Sequence, residues 1–140
     1  GSDVDSGWVL AVALADDIAD FLSSGGITTT IYRGFLPQLP SDAVQIVETG
    51  GLAPVPKMGG AGGAVTERPA FQVVRRSESV ATARTEMNTI WKLLHWAGDR
   101  NINGVRYLLI EARQSPFALP KDESNRALYA ANFLVHKEIT

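Results

Sequence analysis

Between Pro69 and Ala97 the chain reads PAFQVVRRSESVATARTEMNTIWKLLHWA, and its hydrophobic period changes part-way along. In the first part Phe71, Val73 and Arg75 fall on one side, and Gln72, Val74 and Arg76 on the other. That is the alternation of a pleated strand. Val80, Ala83, Met87, Ile90, Leu94 and Ala97 then recur at spacings of three and four, with Trp91 beside them. This is the apolar stripe of a helix lying on a core. Ser77 or Ser79 can cap its first turn by accepting from orphan amides, and Gly98 can end it in a left-handed conformation. Arg84, Thr85, Asn88 and Lys92 fall toward the polar side. A strand delivered straight into such a helix predicts a sheet with a helix laid across it.

The rest of the chain supplies partners for that unit. Ser6 caps an expected helix over residues 7–23, whose main buried face is Ala11, Leu14, Ala15, Ile18, Phe21 and Leu22. Trp8, Val9 and Val12 spread apolarity around its first turns, and a helix greasy on more than one face lies deep or meets another molecule. Asp16, Asp17 and Asp20 read as a solvated face, since no His or Glu nearby completes a metal-ligand set. Gly25-Gly26 breaks the helix. Ile27–Phe35 and Ala43–Glu48 read as strands, separated by the proline-punctuated Leu36–Pro40. Thr49–Arg68 reads as a glycine- and proline-rich loop. Its Gly59–Gly63 cluster is no phosphate loop, because no Gly-Lys-Ser/Thr follows. The expectation is a flexible surface loop that orders on a partner.

After the central helix, Asp99–Gly104 reads as a turn, Val105–Arg113 as an interior strand, Gln114–Asn125 as a second polar loop, and Arg126–Lys137 as a closing strand. Tyr129, Ala131, Phe133 and Val135 share one face of that last strand. The order α-β-β-β-α-β-β, without strand–helix alternation, predicts one α+β domain over residues 1–140. It is a mainly antiparallel sheet of about five strands flanked by two helices. Phe71, Val73, Ile90, Trp91, Leu94, Leu109 and Phe133 are its expected core.

Chemistry is sparsely encoded. The net charge of −2 argues against a protein held to nucleic acid by neutralising phosphates. With no cysteine there is no disulfide, thiol nucleophile or cysteine metal site. The apolar run Trp8–Ala15 is too short to cross a membrane, and Asp3 and Asp5, not Lys or Arg, precede it, unlike a signal peptide. His95 closes the central helix, where a cation suits the dipole, and His136 lies near the end of the last strand. No serine sits in a nucleophile elbow, and no motif implies a cofactor or metal. The residues therefore read as a non-enzymatic α+β domain with two interaction loops.

Three stretches resemble the minor capsid and tail-terminator (head–tail joining) proteins of long-tailed bacteriophages. They are YRGFLPQLPSDAVQIVETGG (Tyr32–Gly51), RPAFQVVRR (Arg68–Arg76) with the helix after it, and QSPFALPKDESNRALYAANFLV (Gln114–Val135). Their order along the chain carries the resemblance, which spans about two thirds of it. The resemblance implies a virion protein assembled in the host cytoplasm, with no enzymatic activity, cofactor or membrane. It implies a ring of identical subunits, six in number, at the tail–neck junction. Such a ring stops polymerisation of the tail tube protein and faces the neck or connector protein. DNA passes through the lumen without sequence-specific binding, and a weakly charged chain suits that passage because it makes few phosphate contacts. A neck stopper or adaptor is the nearest alternative, and a small-ligand enzyme or binding module a more distant one. Within this reading Trp8, Val9 and Val12 are the expected subunit interface. Lys57, Met58, Gly60, Gly62, Phe117, Lys121 and Asp122 are the expected partner contacts.

Overall fold

A computed structural model of the chain describes residues 14–56 and 64–138. In chain order its elements are α1 (14–24), β1 (Ile31–Arg33), β2 (Ala43–Glu48), β3 (Leu52–Pro56), β4 (Ala64–Arg68), β5 (Ala70–Ser77), α2 (Val80–Leu94), β6 (Ala97–Ile102), β7 (Val105–Ala112), β8 (Phe117–Leu119) and β9 (Ala127–Glu138).

The closing strand β9 is the spine of the sheet. Along one edge it pairs with β5, from Ser77 opposite Ala127 to Ala70 opposite Leu134. The Val135 amide then donates to the Pro69 carbonyl, and β4 takes over opposite Lys137 and Glu138. Along the other edge it pairs first with β8, opposite Leu128 to Ala130, and then with β7, from Ala112 opposite Phe133 to Tyr107 opposite Lys137. A strand with partners on both edges is buried on both, which suits its apolar sequence. β2 and β1 extend the sheet beyond β5, and β6 lies outside β7. The β1–β2 pair is parallel and every other pairing is antiparallel.

Both helices contribute to the core on one face of this sheet. Val44, Ile46, Phe71, Val73, Ala131, Phe133 and Val135 meet Leu14, Ile18 and Leu22 of α1 and Met87, Ile90 and Leu94 of α2. Phe71 and Phe133, cross-strand partners, stack at 5.2 Å between ring centroids, a geometry that adds to their area burial. Ser79 is the α2 cap: its hydroxyl accepts from the Thr82 amide, while the Ser77 hydroxyl accepts from the Ser79 amide. The expected core is buried as read, except that Trp91 and Leu109 are only half-buried.

The α+β class holds, but among the described residues the sheet has nine strands, not about five, and is not wholly antiparallel. The largest departure is Thr49–Arg68, expected as a loop. Its two ends are the hairpin strands β3 and β4, paired from Leu52 opposite Arg68 to Pro56 opposite Ala64. Glycine and proline content hid them. β3 is an edge strand, where Pro54 and Pro56 are tolerated because missing donors there break no interior ladder. Gly51, just before β3, is required for a steric reason: a Cβ there would lie 1.9 Å from the Arg68 carbonyl oxygen. The cluster Gly59–Gly63 lies outside the described residues.

Three smaller differences have local causes. Helix α2 ends at Leu94, with Trp96 and not Gly98 taking the left-handed conformation, at φ 60°. The turn expected over Asp99–Gly104 contracts to Asn103-Gly104, both at positive φ as a two-residue hairpin requires, and Ala97–Ile102 pairs as β6. The strand expected over Ile27–Phe35 is confined to β1, while Phe117–Leu119 adds a short strand within the second polar loop.

Candidate functional site

The face of the sheet opposite the helices is covered differently. Val74, Arg76 and Ala130 alternate with the helix-facing residues and are nonetheless buried. Part of the cover is the connection between β1 and β2, Gly34-Phe35-Leu36-Pro37-Gln38-Leu39-Pro40-Ser41-Asp42. Because β1 and β2 are parallel, the connection has to travel back along the sheet, and it does so on this rear face. The Gln45 side-chain amide, which alternates away from buried Val44 and Ile46, donates to the Gly34 carbonyl.

Two buried arginines fasten this connection. Arg76, 3% exposed, donates from Nε to the Ser41 carbonyl at 3.2 Å and from Nη2 to the Pro40 carbonyl at 2.6 Å. Arg126, 4% exposed, reaches the Gln38 carbonyl at 2.5 Å and the Gln38 side-chain oxygen at 3.0 Å. Its Nε donates to Asp122 at 2.8 Å. Burial, followed by the neighbouring Arg126 charge, presses the Arg76 pKa downward. A guanidinium still remains protonated at neutral pH, because its starting value is so high. Arg76 thus donates to two backbone carbonyls, and Arg126 to one carbonyl, the Gln38 side chain and the Asp122 carboxylate. The tethered segment displays Phe35 at 82% and Leu39 at 75% exposure, the two most exposed large apolar side chains among the described residues. The peptide bond before Pro40 is cis.

The expected contact residues divide. Trp8, Val9, Val12, Lys57, Met58, Gly60 and Gly62 lie outside the described residues. Phe117 is half-buried on β8, and Lys121 is exposed. Asp122 is largely occupied by its own loop. It accepts from the Ser124 and Arg126 amides and from the Arg126 side chain. Those bonds, the Arg126 amide first, hold its carboxyl below the usual carboxylate range. Sequence reading missed Phe35, Leu39 and the arginine tethers. The available signal was FLPQLP: two large apolar residues in a proline-bound stretch with no period that could bury them.

Other polar groups are committed to structure. Asp17, expected on a solvated face, is 3% exposed and accepts from the Tyr107 hydroxyl at 2.5 Å and from Asn103 Nδ2 at 2.8 Å. Desolvation, then the bond to Asp17, pushes the Tyr107 pKa far up, so the phenol stays protonated as donor. Buried Arg75 ties β5 to Glu86 of α2 at 2.7 Å and to Asp42 at 3.3 Å. His95 accepts at Nδ1 from the Ala112 amide at 3.4 Å and stacks on Trp91. His136 lies 3.5 Å from Glu111. Among the described residues no three potential metal ligands gather. The clefts there include one of about 430 Å³ between Gly26-Ile27 and the outer side of α2.

Nothing in this arrangement joins a nucleophile to a base. What it offers is an uncharged segment, bonded to two arginines of the sheet side, with Phe35 and Leu39 exposed. The family model of the bacteriophage tail terminator protein matches residues 13–139. The chain belongs to that family. The family is one of structural tail proteins, and the resemblance of the FLPQLP, ETGG and closing-strand segments is thereby accounted for. The fold is shared with a chain in the virion of a native gene transfer agent particle. That chain is 18% identical with a TM-score of 0.69, and the match covers 92% of this chain and 98% of the other. A second solved chain, described without a function, matches at 12% identity with a TM-score of 0.59, over 94% and 95% of the two chains. No curated protein sequence matches this one.

Proposed function

We propose that this chain is the tail terminator of a phage-like particle. It forms a closed homo-oligomeric ring of six subunits that caps the head-proximal end of the tail tube and joins it to the neck. The observation that carries the reading is the family match over residues 13–139, nearly the whole chain. The fold it shares with a gene transfer agent virion chain supports it. A heterologous contact, one patch against a different patch on the next copy, closes into a ring when its rotation permits. The ring offers one surface to the tube protein and another to the connector protein, and DNA passes through it without base-specific contacts. Removing the protein from a producing host tests this. Tails of uncontrolled length without heads are expected, whereas tails of normal length would overturn the assignment.

A further inference from the structure

Among the described residues, Phe35 and Leu39 of the Phe35–Pro40 loop add nothing to their own subunit's core. Phe35 and Leu39 are displayed, not buried, on a segment that Arg76 and Arg126 hold in place. A surface held still before contact loses little conformational entropy on binding. The sequence Gly34 to Pro40 contains no charged residue.

An open cleft lies elsewhere on the same molecule. The cleft of about 430 Å³ is lined by Gly26, Ile27, Ala81, Thr82, Thr85 and Thr89, small or apolar residues that leave room for a large side chain. Its one charged lining residue, Glu86, turns its carboxylate to the Arg75 guanidinium, 2.7 Å away. Both surfaces are therefore electrically neutral, as the centre of a protein interface tends to be. Neither would strand a charge by meeting the other.

We propose that Phe35 and Leu39 of one copy seat in the Gly26–Ala81–Thr85 cleft of a second copy of this chain. The inference rests on the ring reading above and assigns its subunit contact. The loop sits on the rear face of the sheet and the cleft in the helical layer, so the contact is head-to-tail, and such contacts repeat around a ring. The residues around Ser41 and Glu78, joined by a hydrogen bond of 3.2 Å, form the bridge between the two surfaces within one subunit.

The chain has no cysteine, so paired substitutions report contacts without background. Particles are assembled with the double variant Phe35→Cys/Ala81→Cys, oxidised, and run without reductant. A ladder of covalent multimers is expected, with monomer only from either single variant. Leu39→Cys/Thr85→Cys provides an independent pair, should the first disturb folding. A lysine-reactive reagent applied to the same particles separates the two claims. Multimers with that reagent, but none from either cysteine pair, would overturn the contact and leave the ring standing. Self-linking of the single Phe35→Cys variant would overturn it equally, since it marks an isologous contact. Monomer under both reagents would overturn the ring, and the contact with it.

Discussion

The two faces of the sheet are buried by different means. The helix-covered face is closed by apolar packing: Phe71, Ile90, Met87 and Phe133 are fully buried and contribute through area removed from water. The rear face beside β2 and β5 is closed by a proline-bound connection that two guanidinium groups hold by its carbonyls. Packing of the first kind is tolerant of direction and strong in sum. Tethering of the second kind is directional, and it fixes a segment without drawing its apolar side chains inward. Phe71 at 0% and Phe35 at 82% exposure show the outcome. The same side chain is buried for stability on one face and left exposed on the other.

The contrast breaks if the core is not where the packing puts it. Phe71→Ala and Ile90→Ala should each cost roughly 2–5 kcal/mol, from lost transfer energy and a residual cavity. Unchanged urea midpoints for both would refute it. Arg76→Met should cost less, roughly 1–3 kcal/mol for two charge-assisted bonds to carbonyls. Its larger effect should be local, with faster amide exchange between Phe35 and Asp42 while the core amides stay protected. Uniform loss of protection would show that the loop belongs to the core after all.

Acid should loosen the tether before it touches the core. Asp122 has a depressed pKa because the Arg126 amide and side chain stabilise its charged form. Its contribution is fully present above the unfolded carboxylate value of about 4 and is lost as pH falls from there through the lower folded value. Protection of the amides near Ser124 to Arg126, taken relative to their intrinsic exchange rates, should therefore fall below about pH 4 and be flat above it. A transition near neutral pH would contradict this. The smallest effect belongs to Phe35→Ser, which should shift stability by no more than about 0.5 kcal/mol, as for other surface sites. A core-sized loss would erase the distinction between the two phenylalanines.

The packed face was legible in the sequence because periodicity encodes it. Val73, Met87, Ile90 and Leu94 stand at strand and helix spacings, and Ser79 caps where a serine before an apolar run should. The rear face was not, because no period marks an arginine that turns inward to a carbonyl. Arg75, Arg76 and Arg126 are all buried, and strand alternation assigns Arg75 and Arg76 a face without saying what either guanidinium meets. Asp17 misled in the same way, since its partner Tyr107 lies ninety positions along the chain. β3 was hidden by its prolines, and β4 by the glycine-rich run that leads into it. Of the proposed contact surface, the sequence resemblance found the FLPQLP segment as a motif, without the arginine bonds that hold its carbonyls.

The central claim concerns where copies of this chain sit, and an averaged cryo-EM map of the assembled particle measures that directly. The account predicts one ring of this chain between the tail tube and the neck, with each Phe35 loop against the α2 helix of the next copy. Copies stacked along the tube, or spread over the capsid lattice, would contradict it.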